Sequence, residues 1–195
     1  MIKGDLILLL IIFKMDKIVL IESILYTGEI PLAVGIKREP IHKLIRESYE
    51  KEIKNDPYVE EVLLPYEQEV DKVFRYVIEK LAVGSTGKRD GIFISPMESA
   101  RGILHGAGMN SYKTRDMNLY NIQNGPEFTF LYIVFLDSAL PDKLIIECPE
   151  NKNLNKKWEH VIKENEWFLF PSSLEYYFTR GTGVRSIIKY KVGRY

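Results

Sequence analysis

Few side chains in this sequence can do chemistry, and their spacing decides what chemistry is open to them. There are three histidines, His42, His105 and His160, and one cysteine, Cys148. A non-haem iron site takes two histidines and a carboxylate, commonly as His-x-Asp or His-x-Glu with a second histidine far along the chain. Neither pair occurs: His42 precedes Lys43-Leu44, His105 precedes Gly106-Ala107, and His160 precedes Val161-Ile162. Each histidine is therefore expected to pack or to face water. A single cysteine allows no intrachain disulfide and no four-cysteine zinc site. Cys148, between Glu147 and Pro149, reads as a small buried residue at a strand end. Ser95, Ser99, Ser172 and Ser173 lie in no Gly-x-Ser-x-Gly elbow. Gly84-Ser85-Thr86-Gly87-Lys88 is too short for a phosphate loop and is followed by Arg89, so it reads as a turn that ends a helix. Gly102, Gly106 and Gly108 do not have dinucleotide-binding spacing, and their segment is expected to be flexible or tightly turned.

The elements that must position these residues change character once along the chain. Residues 1–35 are apolar and strand-like, with Ile18-Val19-Leu20-Ile21 closed off by Gly28 and Pro31. Residues 40–83 are helical. Ile41, Leu44, Ile45 and Tyr49 share one helix face, Pro57 interrupts, and Pro65 opens a second helix. In that helix Val70, Val73, Phe74, Val77, Ile78 and Leu81 form an apolar stripe. Residues 90–195 read as short strands: Gly91–Ser95, Asn118–Gln123, Phe130–Leu136, Leu144–Glu147, Trp167–Phe170, Glu175–Thr179 and Val184–Val192. The unbroken apolar run Phe130–Leu136 predicts a strand covered on both faces, by the barrel interior on one side and the helices on the other. The whole chain is read as one α+β domain with its helices on one sheet.

Lys+Arg and Asp+Glu both number 27, so the net charge is zero, which argues against a generally basic nucleic-acid binder. The apolar run Leu6–Phe13 is too short for a membrane span and is followed by Lys14, Asp16 and Lys17. It carries no small-x-small cleavage signal, so it is read as a buried strand or as an extension upstream of a start at Met15. A soluble intracellular protein is expected. Charge is nonetheless segregated. Residues 47–71 hold nine acids against Lys51 and Lys54, a net of −7, while residues 176–195 hold five basic residues and no acid. This predicts contacts with a partner or a second copy, with Arg180, Arg185, Lys189 and Lys191 facing Glu60, Glu61, Glu67 or Glu69 of a neighbour. Pairing within the chain is the other outcome.

The stretch from Trp167 to Lys191 resembles the C-terminal motif of the 2-oxoglutarate/Fe(II)-dependent oxygenases, prolyl-hydroxylase-like and phage-encoded members included. Phe170-Pro171-Ser172 and Leu174 match it. Tyr176 or Tyr177 stands where the distal metal-binding histidine would be, and Arg185 where the family holds the cosubstrate carboxylate. Upstream, Tyr120 to Gly125 and Leu131 to Val134 resemble the segment around the His-x-Asp pair, with Tyr120 a second cosubstrate-binding candidate. That pair's place reads Pro126-Glu127-Phe128-Thr129-Phe130. The resemblance implies a double-stranded β-helix, or jelly roll. With no metal ligand matched, it points to a binding or assembly module without cofactor, such as a virion structural or accessory protein. The alternatives are an active hydroxylase using Fe(II) and 2-oxoglutarate through other ligands, and a cupin-like small-molecule binder. On the last strand Val184, Ser186, Ile188, Tyr190 and Val192 form the more apolar face, so Arg185, Ile187, Lys189 and Lys191 are expected to point outward.

Overall fold

The computed structural model describes residues 15–20, 23–83, 94–109, 111–117, 126–147 and 157–194. Among them the order is β1 (Met15–Leu20), β2 (Ser23–Glu29), α1 (Arg38–Glu52), β3 (Val62–Leu63), α2 (Gln68–Val83), β4 (Ile94–Pro96) and β5 (Arg101–His105). There follow β6 (Phe128–Asp137), β7 (Lys143–Glu147), β8 (Lys157–Val161), β9 (Glu166–Pro171), β10 (Glu175–Phe178) and β11 (Val184–Arg194). The expected strand Asn118–Gln123, the apolar run Leu6–Phe13, the 84–88 turn, Tyr120 and Cys148 lie outside the described residues.

All the strand pairs are antiparallel. The larger sheet runs β1-β2-β9-β6-β11-β5-β3, with β4 paired to the end of β11, and the smaller runs β10-β7-β8. A bridge between Thr114 and Tyr176 lays the 111–117 segment along the open edge of β10. From β5 onward the chain passes back and forth between the two sheets, which is the jelly-roll winding. No helix among the described residues is long and apolar enough to cross a membrane.

β6 shows why the larger sheet needs cover on both sides. Every residue from Phe128 to Val134 is buried. Phe130, Tyr132 and Val134 share a cluster with Leu169, Ile188, Tyr190 and the helix residues Ile41, Ile45, Val73, Phe74, Val77 and Leu81. Leu131 and Ile133 share a second cluster, between the sheets, with Phe168, Phe170, Ile187, Leu144, Ile146, Tyr176 and Phe178. The Phe74 ring stacks on Tyr190 at 4.5 Å and meets the edge of Phe130 at 5.5 Å. α1 brings Ile41, Ile45 and Tyr49, one turn apart, onto the same layer. It comes so near to β5 that a Cβ on Gly102 would lie 3.0 Å from Ile45 and from Leu64. The Glu67 carboxylate accepts the Glu69 and Val70 backbone N–H groups at the start of α2.

Three expectations are corrected. The glycine segment at 101–108 is not simply flexible, because Arg101–His105 is a strand bonded to β11. Lys157–Val161, not expected as a strand, is β8; its residues are only half-buried or exposed, so no apolar pattern marks it. Most important, the two faces of β11 are exchanged relative to the expectation. Arg185, Ile187 and Lys189 point between the sheets, and Ile188, Tyr190 and Val192 point to the helices. Both faces are interior, and the charges are tolerated because each has a partner.

Two substitutions test this packing. Phe170, 0% exposed between the sheets, should lose roughly 3–5 kcal/mol of stability on Phe170→Ala, as read from urea denaturation. Gly183 passes so close to β6 that a Cβ would sit 1.2 Å from the Asp137 carbonyl oxygen. Gly183→Ala should therefore displace the start of β11 and give much less folded protein than Gly193→Ala, whose Cβ would meet only Met97 at 3.4 Å.

Candidate functional site

The inward face of β11 carries Arg185 and Lys189 into the space between the sheets, each 1% exposed. A buried charge persists only where it is paired and hydrogen-bonded. Arg185 Nη1 donates to Asp142 Oδ2 at 3.0 Å and to the Thr179 carbonyl at 2.8 Å, and its Nε donates to His105 Nδ1 at 2.8 Å. The guanidinium carbon lies 5.0 Å from the centre of the Phe178 ring. Its buried Nη2 has no hydrogen-bond partner among the described residues. A guanidinium only donates, so Nδ1 of His105 must accept, and the ring proton sits on Nε2. Burial first, and then the Arg185 charge, pull His105 from its ordinary 6.5 to about 4, so the ring is neutral at pH 7.

Lys189 lies further along the same face. Its ammonium is 2.6 Å from Asp116 Oδ1 and 2.6 Å from Glu61 Oε2. Thr129 Oγ1 donates to the other Asp116 oxygen at 2.8 Å. Burial drives the Tyr176 phenol well above its ordinary value, and the neighbouring Asp116 and Glu61 charges add to the rise, so it keeps its proton. Glu61 also meets Arg101 at 3.3 Å, Arg101 meets Glu98 at 3.0 Å, and Lys191 meets Glu98 at 3.3 Å. Asp116, Glu61 and Glu98 thus alternate with Lys189, Arg101 and Lys191 in a charge-balanced chain from the interior to the surface.

This network floors a pocket of about 440 Å³. Tyr49, His105, Asp116, Tyr176 and Lys189 line it, and the exposed Tyr58, Met109 and Tyr112 belong to the same wall. Among the residues singled out in the sequence, Lys189, Lys191, Glu60, Glu61 and Tyr176 all line this pocket, with Arg185 next to them through His105. Arg185 and Lys189 are enclosed, and the Lys189–Glu61 pair closes within the chain. Lys191 is half-buried on Glu98, and Arg180 and Glu60 are exposed. Glu67 caps α2, while Glu69 is buried against the Lys37 backbone N–H and Lys72. Tyr177 points away from the pocket and donates to Glu147 at 3.0 Å. Glu127, at the place expected for the metal pair, lies outside on Arg194. The segment beside Tyr176 is instead Thr114-Arg115-Asp116. Asp116, Asp142 and the role of His105 were not read from the sequence. The spacing of Thr114 and Asp116, one residue apart before a long apolar strand, was the available signal.

The winding is found in solved structures of hydroxylases. The chain is similar to a viral collagen prolyl hydroxylase from Paramecium bursaria Chlorella virus 1, with TM-score 0.53 and 12% identity over 86% of this chain and 94% of that one. A Pseudomonas putida prolyl-4-hydroxylase gives TM-score 0.51 and 10% identity over 86% and 83%. A Trichoplax adhaerens prolyl hydroxylase gives 0.54 and 10% over 81% and 77%. No family model matches the chain, and no curated protein matches it in sequence. At these identities the likeness establishes the fold: a double-stranded β-helix of the kind found in prolyl hydroxylases and non-haem oxygenases.

One solved structure of like fold is a non-haem monooxygenase, but the side chains facing Tyr176 in this chain are a poor match for an iron ion. Thr114 offers a hydroxyl and Tyr176 a protonated phenol, while Asp116 is already engaged by Lys189 and Thr129. Among the described residues no three His, Cys, Asp or Glu side chains gather as a metal site. Iron(II) favours imidazole and carboxylate donors with free lone pairs, so this set does not fit it.

His105 gives the pocket a pH signature. Between pH 6.5 and about 4 the unfolded chain carries a proton on this ring that the folded chain refuses. Stability due to His105 is therefore full above pH 6.5 and lost on acidification toward pH 4. His105→Gln keeps an acceptor for Arg185, and it should flatten the fall of the denaturation midpoint across that window.

Proposed function

We propose that the chain is a binding module that uses the oxygenase fold without iron or 2-oxoglutarate, and that its ligand enters the pocket over Lys189. The observation that carries this reading is the set Thr114, Asp116 and Tyr176 on the facing strand edges, which offers a metal one carboxylate that is already paired. The charge-balanced floor and the exposed tyrosines suit a polar small molecule or a segment of a partner chain. The same reading extends to a subunit of an assembly, in the cell or in a virion. Of the contact residues expected from the sequence, Arg180 and Glu60 are the exposed ones, free to meet a neighbour.

A hydroxylase that uses Fe(II) and 2-oxoglutarate is the second reading, and two observations favour it. The solved structures of like fold are named as prolyl hydroxylases. Arg185 also points inward, as a cosubstrate clamp would, with Nη2 unsatisfied.

One assay separates the two. Protein loaded anaerobically with Fe(II), desalted, and given 2-oxoglutarate and oxygen should retain far less than one iron per chain and release no succinate above a protein-free control. Stoichiometric iron with succinate release would establish the second reading. For assembly, sedimentation should show self-association that weakens with salt and with Arg180→Glu, while the thermal midpoint barely moves. A monomer at every concentration and salt, with no partner recovered, would remove the assembly proposal.

A further inference from the structure

We propose that the Lys189 ammonium performs in this barrel the structural work of a metal ion, holding Asp116 and Glu61 to β11 and blocking a cation position that opens only when the lysine is removed. This inference rests on the iron-free reading above. The two carboxylates come from separate parts of the chain, one beside β10 and one just before β3, and both reach the same nitrogen at 2.6 Å. Lys189 is 1% exposed, and the Asp116 side chain is 3% exposed. The second oxygen of each carboxylate is also in use, by Thr129 on Asp116 and by Arg101 on Glu61. A cation that draws oxygen donors from different strands to one buried point is what a structural metal supplies.

An ammonium and a divalent ion cannot share this place. Lys189 is anchored on the strand at the middle of the sheet, with β5 and β6 bonded on either side of it. Its ammonium lies at the pocket floor, held between the two carboxylates. A divalent ion beside it would set like charges together where the dielectric constant is low. The lysine therefore excludes metal while it is present. Removing it leaves the buried Asp116 carboxylate without a counter-charge and the half-buried Glu61 with Arg101 alone, a loss that is strongly destabilising in itself. Three changes would relieve that loss: protonation, amidation of one carboxylate, or a divalent ion in the vacated place.

The test uses Lys189→Met, which keeps most of the side chain and removes the charge, and thermal unfolding at pH 7.5 with either EDTA or Mn²⁺. The wild-type midpoint should be the same in both. Lys189→Met should melt lower in EDTA by roughly 6–20 °C, recover part of that in Mn²⁺, and bind about one Mn²⁺ by electron paramagnetic resonance. Lys189→Met with Asp116→Asn should melt higher than Lys189→Met in EDTA and show no response to Mn²⁺. If Lys189→Met does not fold alone, its refolding yield with and without Mn²⁺ reads the same comparison. Equal behaviour of Lys189→Met in EDTA and Mn²⁺, or a double variant no more stable than the single one, would overturn the inference while leaving the iron-free reading intact. Succinate release by the wild-type protein would end the iron-free reading itself.

Discussion

Two positive charges on one face of β11 have to be neutralised inside the barrel, and the surrounding structure is arranged around that need. Arg185 draws in Asp142 and His105, and Lys189 draws in Asp116 and Glu61. The loop before β7, the strand β5, the edge segment at 111–117 and the chain before β3 are thus tied to one strand by charge as well as by backbone hydrogen bonds. Breaking one partner would leave the other buried and alone, which costs far more than the intact pair contributes. The pairs therefore fix the relative placement of those segments more than they add net stability.

The outer face of the same sheet is held by shape. Ile188, Tyr190 and Val192 meet the apolar stripes of α1 and α2, and Gly102 leaves room for Ile45. Polar contacts also join the layers, among them His42 of α1 on Ser186 of β11 at 2.9 Å and those of Asn165. Asn165, at φ 74°, takes the Tyr132 hydroxyl on its side-chain oxygen at 2.8 Å, donates its amide to the Ile30 carbonyl, and gives its backbone N–H to Ile133 at 2.8 Å. A short side chain that tolerates the left-handed region and both donates and accepts is what such a turn requires.

What the sequence made legible follows from how each element buries itself. α2 and β6 were readable because the helix stripe and the unbroken apolar run each declare how many faces are covered. β8 was not, because its residues alternate between exposed and half-buried with no apolar set to read. β11 misled for a physical reason: polarity ordinarily marks the wet face, but here the polar face is dry and the charges are paired by residues distant in sequence. Asp116 and Asp142 stayed hidden for the same reason. Only the fold brings them to Lys189 and Arg185, and neither sits in a motif that names its role. Phe170-Pro171-Ser172 falls at the end of β9, and Glu127, at the place the resemblance implied for the metal pair, lies outside the pocket on Arg194.

The seat of β11 in the larger sheet bears on the order of assembly. β5 and β6 are not bonded to each other; both are bonded to β11, which follows them by many residues. Until it arrives, each of them presents an open strand edge, and β6 is apolar on both faces. Such an edge is a template for pairing with another chain. Closure also requires the long-range contacts that make β-rich proteins slow to fold. A nascent or partly unfolded chain would thus be most vulnerable to aggregation in the interval before its last described strand docks. The two buried cations on that strand then act as a check on register, because a slip by one residue would turn them away from their carboxylates.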